Sequence, residues 1–190
     1  MTAMEQLREA CLSCTKCPLC TTRNHVVFGV GPENAPVLFI GEGPGQQEDL
    51  QGEPFVGPAG RLLDEMLTII DLNRQNCYIA NIVKCRPPQN RDPLQVEQDA
   101  CIGWLRQQVE ILRPKIVVCL GRIAAMRLMN ENFKITREHG TWYQKDGVWL
   151  TAIFHPSALL RDIAKRPDTF RDLKGIQAKI REVCPDFYPA

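Results

Sequence analysis

Cys11, Cys14, Cys17 and Cys20 recur every third residue, and Cys77, Cys85, Cys101, Cys119 and Cys184 complete a set of nine. The stretch Met1-Thr-Ala-Met-Glu-Gln-Leu-Arg8 lacks the apolar region of a signal peptide, so the chain is expected in the cytoplasm. In that reducing compartment an odd number of cysteines argues against a disulfide framework and for metal ligation by part of the set. A C-x2-C loop directs two thiolates at one centre, in zinc and iron–sulfur sites alike, and the spacing does not separate the two. Two solutions are open: the four N-terminal cysteines hold one centre, or one C-x2-C pair combines with a distant pair. Cys85, in a proline-rich loop after an apolar run, and Cys101, on the helix that follows, are the natural distant pair. Cys77 and Cys119 lie within strand patterns and read as small buried hydrophobes. Cys184 reads as incidental.

Other residues able to do chemistry sit in loops bounded by glycine and proline. Glu42 lies between glycines in Gly41-Glu-Gly-Pro-Gly45, where backbone approaches a ligand closely and a carboxylate suits the orienting or activation of water. This is no phosphate loop: it lacks Lys-Ser/Thr, and Glu42 to Glu53 holds four acids and no base. A solvated acidic loop is the plain alternative. Asn81 ties down a turn or, being donor and acceptor at once, pairs with the edge of a base. Phe55, in Gly52-Glu-Pro-Phe-Val-Gly57, is either core or a stacking platform. His155-Pro156 directly follows an apolar run, whereas His25 and His139 lack such a setting and read as structural. Lys84, Arg86 and Arg91 bracket Pro87-Pro-Gln-Asn90 with no acid between them, and Arg161 to Glu182 carries seven bases against four acids. Such patches serve phosphate contact or merely solvate a helix. Ser157-Ala-Leu-Leu-Arg161 offers leucines that wedge into a base stack or simply begin an amphipathic helix.

Elements must bring these residues together. Val37 to Ile40, Cys77 to Ala80, Lys115 to Leu120 and Val148 to Phe154 read as strands, the last one half of a hairpin turned by Lys145-Asp-Gly147. Helices are predicted over 3–11, 59–70, from an Asp92-Pro93 start to Leu112, through Ala124 to Met129, and near 157–165 and 168–182; the last carries Phe170, Leu173, Ile176 and Ile180 on one stripe. Strands alternating with helices predict an α/β fold, a mainly parallel sheet covered on both faces. Gly41-Glu42, Asn81, Gly121 and His155 each follow a strand directly, at the sheet edge where ligands bind in such folds. With 190 residues, 44% hydrophobic, a net charge of +1 and no linker or repeat, residues 1–190 read as a single domain that is neither disordered nor membrane-spanning.

Taken in order, these motifs resemble the family 4, iron–sulfur uracil-DNA glycosylases of the uracil-DNA glycosylase superfamily. The resemblance runs through Cys14-Thr-Lys-Cys17-Pro18-Leu19, Val27-Phe-Gly-Val-Gly31, Gly41 to Gly45 with Glu48-Asp49, Gly52 to Gly57, Asn81-Ile-Val-Lys-Cys-Arg-Pro-Pro88 with Asn90-Arg-Asp-Pro93, Leu120-Gly121 and His155 to Arg161. It implies a three-layer α/β/α sandwich around a parallel four-stranded sheet. It implies a structural 4Fe–4S cluster on Cys14, Cys17, Cys85 and Cys101, tying the cysteine-rich loop 11–20 to the domain, with Cys11 or Cys20 as potential substitutes. The implied activity is release of uracil from single- or double-stranded DNA by a monomer, leaving an abasic site. Glu42 and His155 are the implied catalytic residues. Gly43, Glu48, Phe55 and Asn81 would bind the base, Glu48 crowding the position of thymine's methyl group. Lys84, Arg86, Arg91, Ser157, Leu159, Leu160 and Arg161 would contact DNA. A related branch traps the base covalently through a histidine in a basic insert after the second strand; Arg86 to Arg91 holds no histidine, so trapping is not expected.

Two other readings remain for a protein with these cysteines: an iron–sulfur nucleic-acid-binding or sensor module without hydrolysis, and a small electron carrier with an exposed cluster. The first leaves Glu42 without a task, and the second predicts reversible reduction.

Overall fold

Successive side chains along β1 (Val37–Gly41) point to opposite faces, and both faces are buried: Leu38 and Ile40 enter one core, Val37 and Phe39 the other. β2 (Tyr78–Asn81), β3 (Ile116–Leu120) and β5 (Val148–Ile153) divide their residues in the same way. The computed structural model, which describes residues 1–189, places these strands in one sheet of order β2-β1-β3-β5 with a fifth strand beyond β5. The four named strands run parallel, and β4 (Tyr143–Lys145) adds a short antiparallel edge through the 145–147 turn. The sheet therefore has five strands rather than four, because the first arm of the expected hairpin pairs as well.

One face is covered by α1 (Ala3–Leu12), α4 (Gln95–Leu112) and α5 (Arg122–Leu128), the other by α3 (Pro58–Ile69), α7 (Pro156–Arg161) and α8 (Arg166–Val183). This is the three-layer α/β/α arrangement. Two short helices, α2 (Gln46–Gln51) and α6 (Ile135–Glu138), escape the sequence periodicity because each is too short to show a repeating stripe. Among the described residues no helix is long and apolar enough to cross a membrane.

Two boundaries shift with consequences for the site. α4 begins at Gln95 rather than at Asp92-Pro93: the Glu97 carboxylate reaches back to the Leu94 N–H (2.8 Å), so Leu94 is the cap and Asp92 is released from capping. On α8 the buried stripe is Thr169, Leu173, Ile176, Gln177 and Ile180, and Phe170 lies one residue off it, exposed.

Register aligns the strand ends. Gly41 pairs with Asn81, Ile40 with Cys119 and Leu120 with Ile153, so Glu42, Asn81, Gly121 and His155 leave the sheet at one level.

Candidate active site and cysteine recess

At that level lies a cleft of about 310 Å³ whose walls include Glu42, Gly43, Asp92, Arg122, His155 and Arg161. A volume in this range suits a small ligand. Phe55 and Asn81 are not among its lining residues; both are buried and meet at Gly41, the residue before Glu42 of the cleft wall. A side-chain carbon built on Gly41 would stand 2.5 Å from Asn81 Oδ1 and 2.6 Å from the Phe55 ring, so only glycine lets the two meet there. The Phe55 ring in turn lies 5.7 Å from the His155 ring, tilted by 32°. Of the four strand-end segments, those of Glu42, Gly121 and His155 line the cleft, and Asn81 is buried beside Gly41 without lining it.

Asn81 is the unusual member. Among the described residues its Oδ1 is the one buried side-chain polar atom without a hydrogen-bond partner. An unsatisfied buried acceptor costs about 1–3 kcal/mol, so this one calls for a donor from outside the chain, a ligand or a water.

His155 caps α7: its Nδ1 accepts from the Ser157 N–H (3.1 Å) and lies 2.7 Å from Ser157 Oγ. Because Nδ1 accepts, the ring proton sits on Nε2. Burial, aided by the positive charge of Arg161, pushes the imidazole pKa down to about 4, so the ring is a neutral N–H donor. Gly121, at φ +88, provides its seat; a side chain there would meet His155 Cβ at 2.9 Å. The carboxyl of Glu42 is pushed up to about 7, chiefly by burial and then by the Asp92 carboxylate, with Arg122 opposing. Arg122 pairs with Asp92 across the cleft wall. Neither was singled out by sequence: the expected helix start hid Asp92, and Arg122 had only its place after Gly121 as a signal.

The expected base-binding loop is built by its acids. Glu48 accepts from the N–H groups of Gly45 (3.1 Å), Val56 (2.9 Å) and Gly57 (3.0 Å), which makes it a brace for the loop carrying Phe55. Asp49 is fully buried and accepts from the Asn24 and His25 backbones. The segment is therefore no solvated acidic loop. Phe55 is buried with φ +53, a left-handed conformation that costs a bulky residue roughly 1–3 kcal/mol.

Burial corrects two of the expected DNA contacts, Lys84 and Leu159. Lys84 is only 1% exposed; its ammonium lies in the core, donating to the Asn81 carbonyl (3.1 Å) and Gln108 Oε1 (2.6 Å). Leu159 is 2% exposed and packs into the core, leaving Leu160 at 45% as the exposed leucine. The Arg91 guanidinium is held in a bidentate pair with buried Glu97 (2.7 and 2.9 Å), and the Ser157 hydroxyl turns toward His155. Arg86 bonds Asn90 Oδ1 (2.7 Å) on the cleft rim, and Arg161 lines the cleft. His139 pairs with Asp172 (2.7 Å) and His25 with the Asp49 carbonyl (2.8 Å), both away from the cleft lining.

On the α1–α4 side, Cys14, Cys17, Cys20, Cys85 and Cys101 line a single recess, while Cys11 is buried outside its lining and Cys77, Cys119 and Cys184 lie elsewhere in the core. Among the described residues no three ligand side chains converge closely enough to grip a single ion. N–H donors surround the sulfurs: Trp104 Nε1 to Cys14 Sγ (3.3 Å), Arg23 Nη1 to Cys85 Sγ (3.3 Å) and the Lys84 N–H to Cys101 Sγ (3.2 Å). An all-cysteine ligand set ringed by N–H donors has the ligand chemistry of an iron–sulfur cluster.

Comparison with known proteins agrees in one direction. The family model described as the Uracil DNA glycosylase superfamily matches residues 28–174. A type-4 uracil-DNA glycosylase of Archaeoglobus fulgidus is 43% identical over 97% of this chain and 94% of that protein. One from Sulfurisphaera tokodaii is 41% identical over 96% of this chain and 86% of that protein. A type-5 uracil-DNA glycosylase of Pyrobaculum aerophilum is 32% identical over 68% of this chain and 64% of that protein.

Proposed function

The chain belongs to the uracil DNA glycosylase superfamily, and from that membership we propose that it is a monofunctional uracil-DNA glycosylase of DNA repair. It flips deoxyuridine out of DNA and hydrolyses the bond between base and sugar. The observation that carries this reading is the orphaned Oδ1 of Asn81, buried beside an aromatic ring at the end of β2.

A flipped uracil placed on the Phe55 ring brings its N3–H to Asn81 Oδ1 and its O4 to the Asn81 amide N–H. Cytosine presents an acceptor at N3 and a donor at C4, so it leaves the amide mispaired and is rejected. The Gly43 N–H and His155 Nε2–H would donate to the other carbonyl, O2, where negative charge gathers as the base departs. A neutral imidazole suits this task, since it donates without carrying charge into a buried site. Glu42, ionised, holds the attacking water and offsets positive charge on the sugar, as carboxylates do in glycoside hydrolysis. No lysine is among the described residues lining the cleft, which supports water rather than an amine as nucleophile and an intact abasic strand as product. Leu160 fills the gap in the base stack, and Arg86 and Arg161 meet phosphates. Glu48 acts by holding the Phe55 loop, a role that leaves exclusion of thymine to the shape of that loop.

Cys14, Cys17, Cys85 and Cys101 would hold a 4Fe–4S cluster. When bound it supplies cross-linking between the N-terminal loop, the segment after β2 and α4, with no part in bond cleavage.

The test is an oligonucleotide with one uracil, incubated with the protein and then treated with alkali. Strand scission that appears only after alkali, with free uracil in solution, supports the reading. Binding without uracil release indicates the sensor alternative.

A further inference from the structure

We propose that Arg74 is a positioning residue for Phe55, holding the ring at the angle needed to stack on a flipped pyrimidine. The proposal rests on the reading of Phe55 as the stacking platform. Arg74 lies in the connection between α3 and β2 and is not among the residues lining the cleft. Its guanidinium reaches the preceding loop and donates from Nη1 to the Pro54 carbonyl (2.7 Å) and from Nη2 to the Phe55 carbonyl. Its Nε is fixed by Asp64 on α3 (2.9 Å).

The remaining contacts define the same conformation from other sides. Glu48 holds the next two backbone N–H groups, those of Val56 and Gly57. The Phe55 carbonyl lies so close to Gly60 that a side-chain carbon there would stand 1.9 Å from it. Phe55 itself has φ +53, which a bulky residue leaves unless its surroundings enforce it. A planar guanidinium has several donors in a fixed fork and satisfies two successive carbonyls at once, which an ammonium on a flexible stem does poorly. Without the fork the peptide is free to relax toward ordinary φ, and the ring swings away from His155 and Asn81.

The experiment is a double-mutant cycle on kcat/KM for a uracil oligonucleotide, with Arg74→Met and Arg74→Lys each made in wild-type and Phe55→Ala backgrounds. In the wild-type background Arg74→Met is expected to approach the loss from Phe55→Ala, about 5- to 150-fold for one base–aromatic contact. Arg74→Lys should fall between Arg74→Met and wild type. In the Phe55→Ala background either change should cost less than about 2-fold, because coupled residues are not additive. Affinity for an abasic-site duplex, which has no base to stack, should stay unchanged. Equal losses in both backgrounds, a parallel loss of abasic-duplex affinity or full activity of Arg74→Lys would overturn the proposal. If Arg74→Met unfolds below the assay temperature, the Arg74→Lys cycle decides alone. Uracil release by wild type and its loss in Phe55→Ala are measured in the same experiment, so failure of the underlying reading shows separately.

Discussion

The ring of Phe55 stands 5.7 Å from that of His155, and the two approach the cleft from chain segments a hundred residues apart, one from the loop before α3 and one from the cap of α7. On the proposed reading they mark where a base lies and where its charge is met.

Asn81→Asp replaces the amide donor with a second acceptor or, when protonated, presents a donor toward N3. Selectivity for uracil over cytosine should collapse, and uracil release should fall by about 100-fold or more, since sites built on paired polar groups discriminate by up to 10⁴–10⁵. Rates on matched uracil and cytosine oligonucleotides check this. Unchanged rate and selectivity would remove Asn81 from base reading.

Gly41→Ala puts a methyl group into the contact between Asn81 Oδ1 and the Phe55 ring, at 2.5 and 2.6 Å. Displacement of either group by about 1 Å is expected to lower kcat/KM by about 100-fold. Circular dichroism should show an intact fold, because Gly41 is a strand residue.

The pH profile separates the two proposed catalytic groups. Glu42 works as the anion, and its carboxyl is raised to about 7, so kcat/KM should climb as pH rises through about 7 and then level off. The same ionisation in the fold lowers stability as pH rises from the ordinary carboxylate range to about 7, because the folded state binds the proton more tightly. His155, lowered to about 4, should add no limb between pH 5 and 9. Glu42→Gln should abolish the limb along with most of the activity. A limb that survives in Glu42→Gln would assign it elsewhere.

The cysteine recess makes a prediction about iron. A protein with Cys11→Ser and Cys20→Ser together should keep its iron and its visible absorption, whereas Cys85→Ser or Cys101→Ser should lose both and unfold at lower temperature. Iron content and thermal melts measure this. Loss of iron in the double variant would move the ligand set to the N-terminal cysteines, and Cys20 lines the recess closely enough to be the replacement.

Much of the site is legible in sequence because it follows from position. Glu42, Asn81, Gly121 and His155 each come just after a strand, and register in a parallel sheet then brings them to one edge. Phe55 is legible from the glycines and proline around it. What fails is the inference from residue type to exposure. Lys84 looks like a phosphate contact, yet its ammonium is inside, satisfied by the Asn81 carbonyl and Gln108. Leu159 and Leu160 are equivalent in sequence, and only the docking of α7 on α3 decides which faces solvent. Arg91 looks free because Glu97, its partner, lies on the helix that follows. Asp92 is hidden by a plausible but unused cap. Arg74 leaves no local signal, since its partners Pro54 and Phe55 lie 20 and 19 residues back, on the far side of α3.

The most direct test of the account is the rate of uracil release from a single-uracil oligonucleotide by wild type and by Glu42→Gln, with DNA affinity measured alongside. The account predicts release by wild type, a fall of about 10²–10⁴-fold in the variant, and matching affinities. Equal rates in the two proteins, or tight binding by both with no uracil set free, would contradict it.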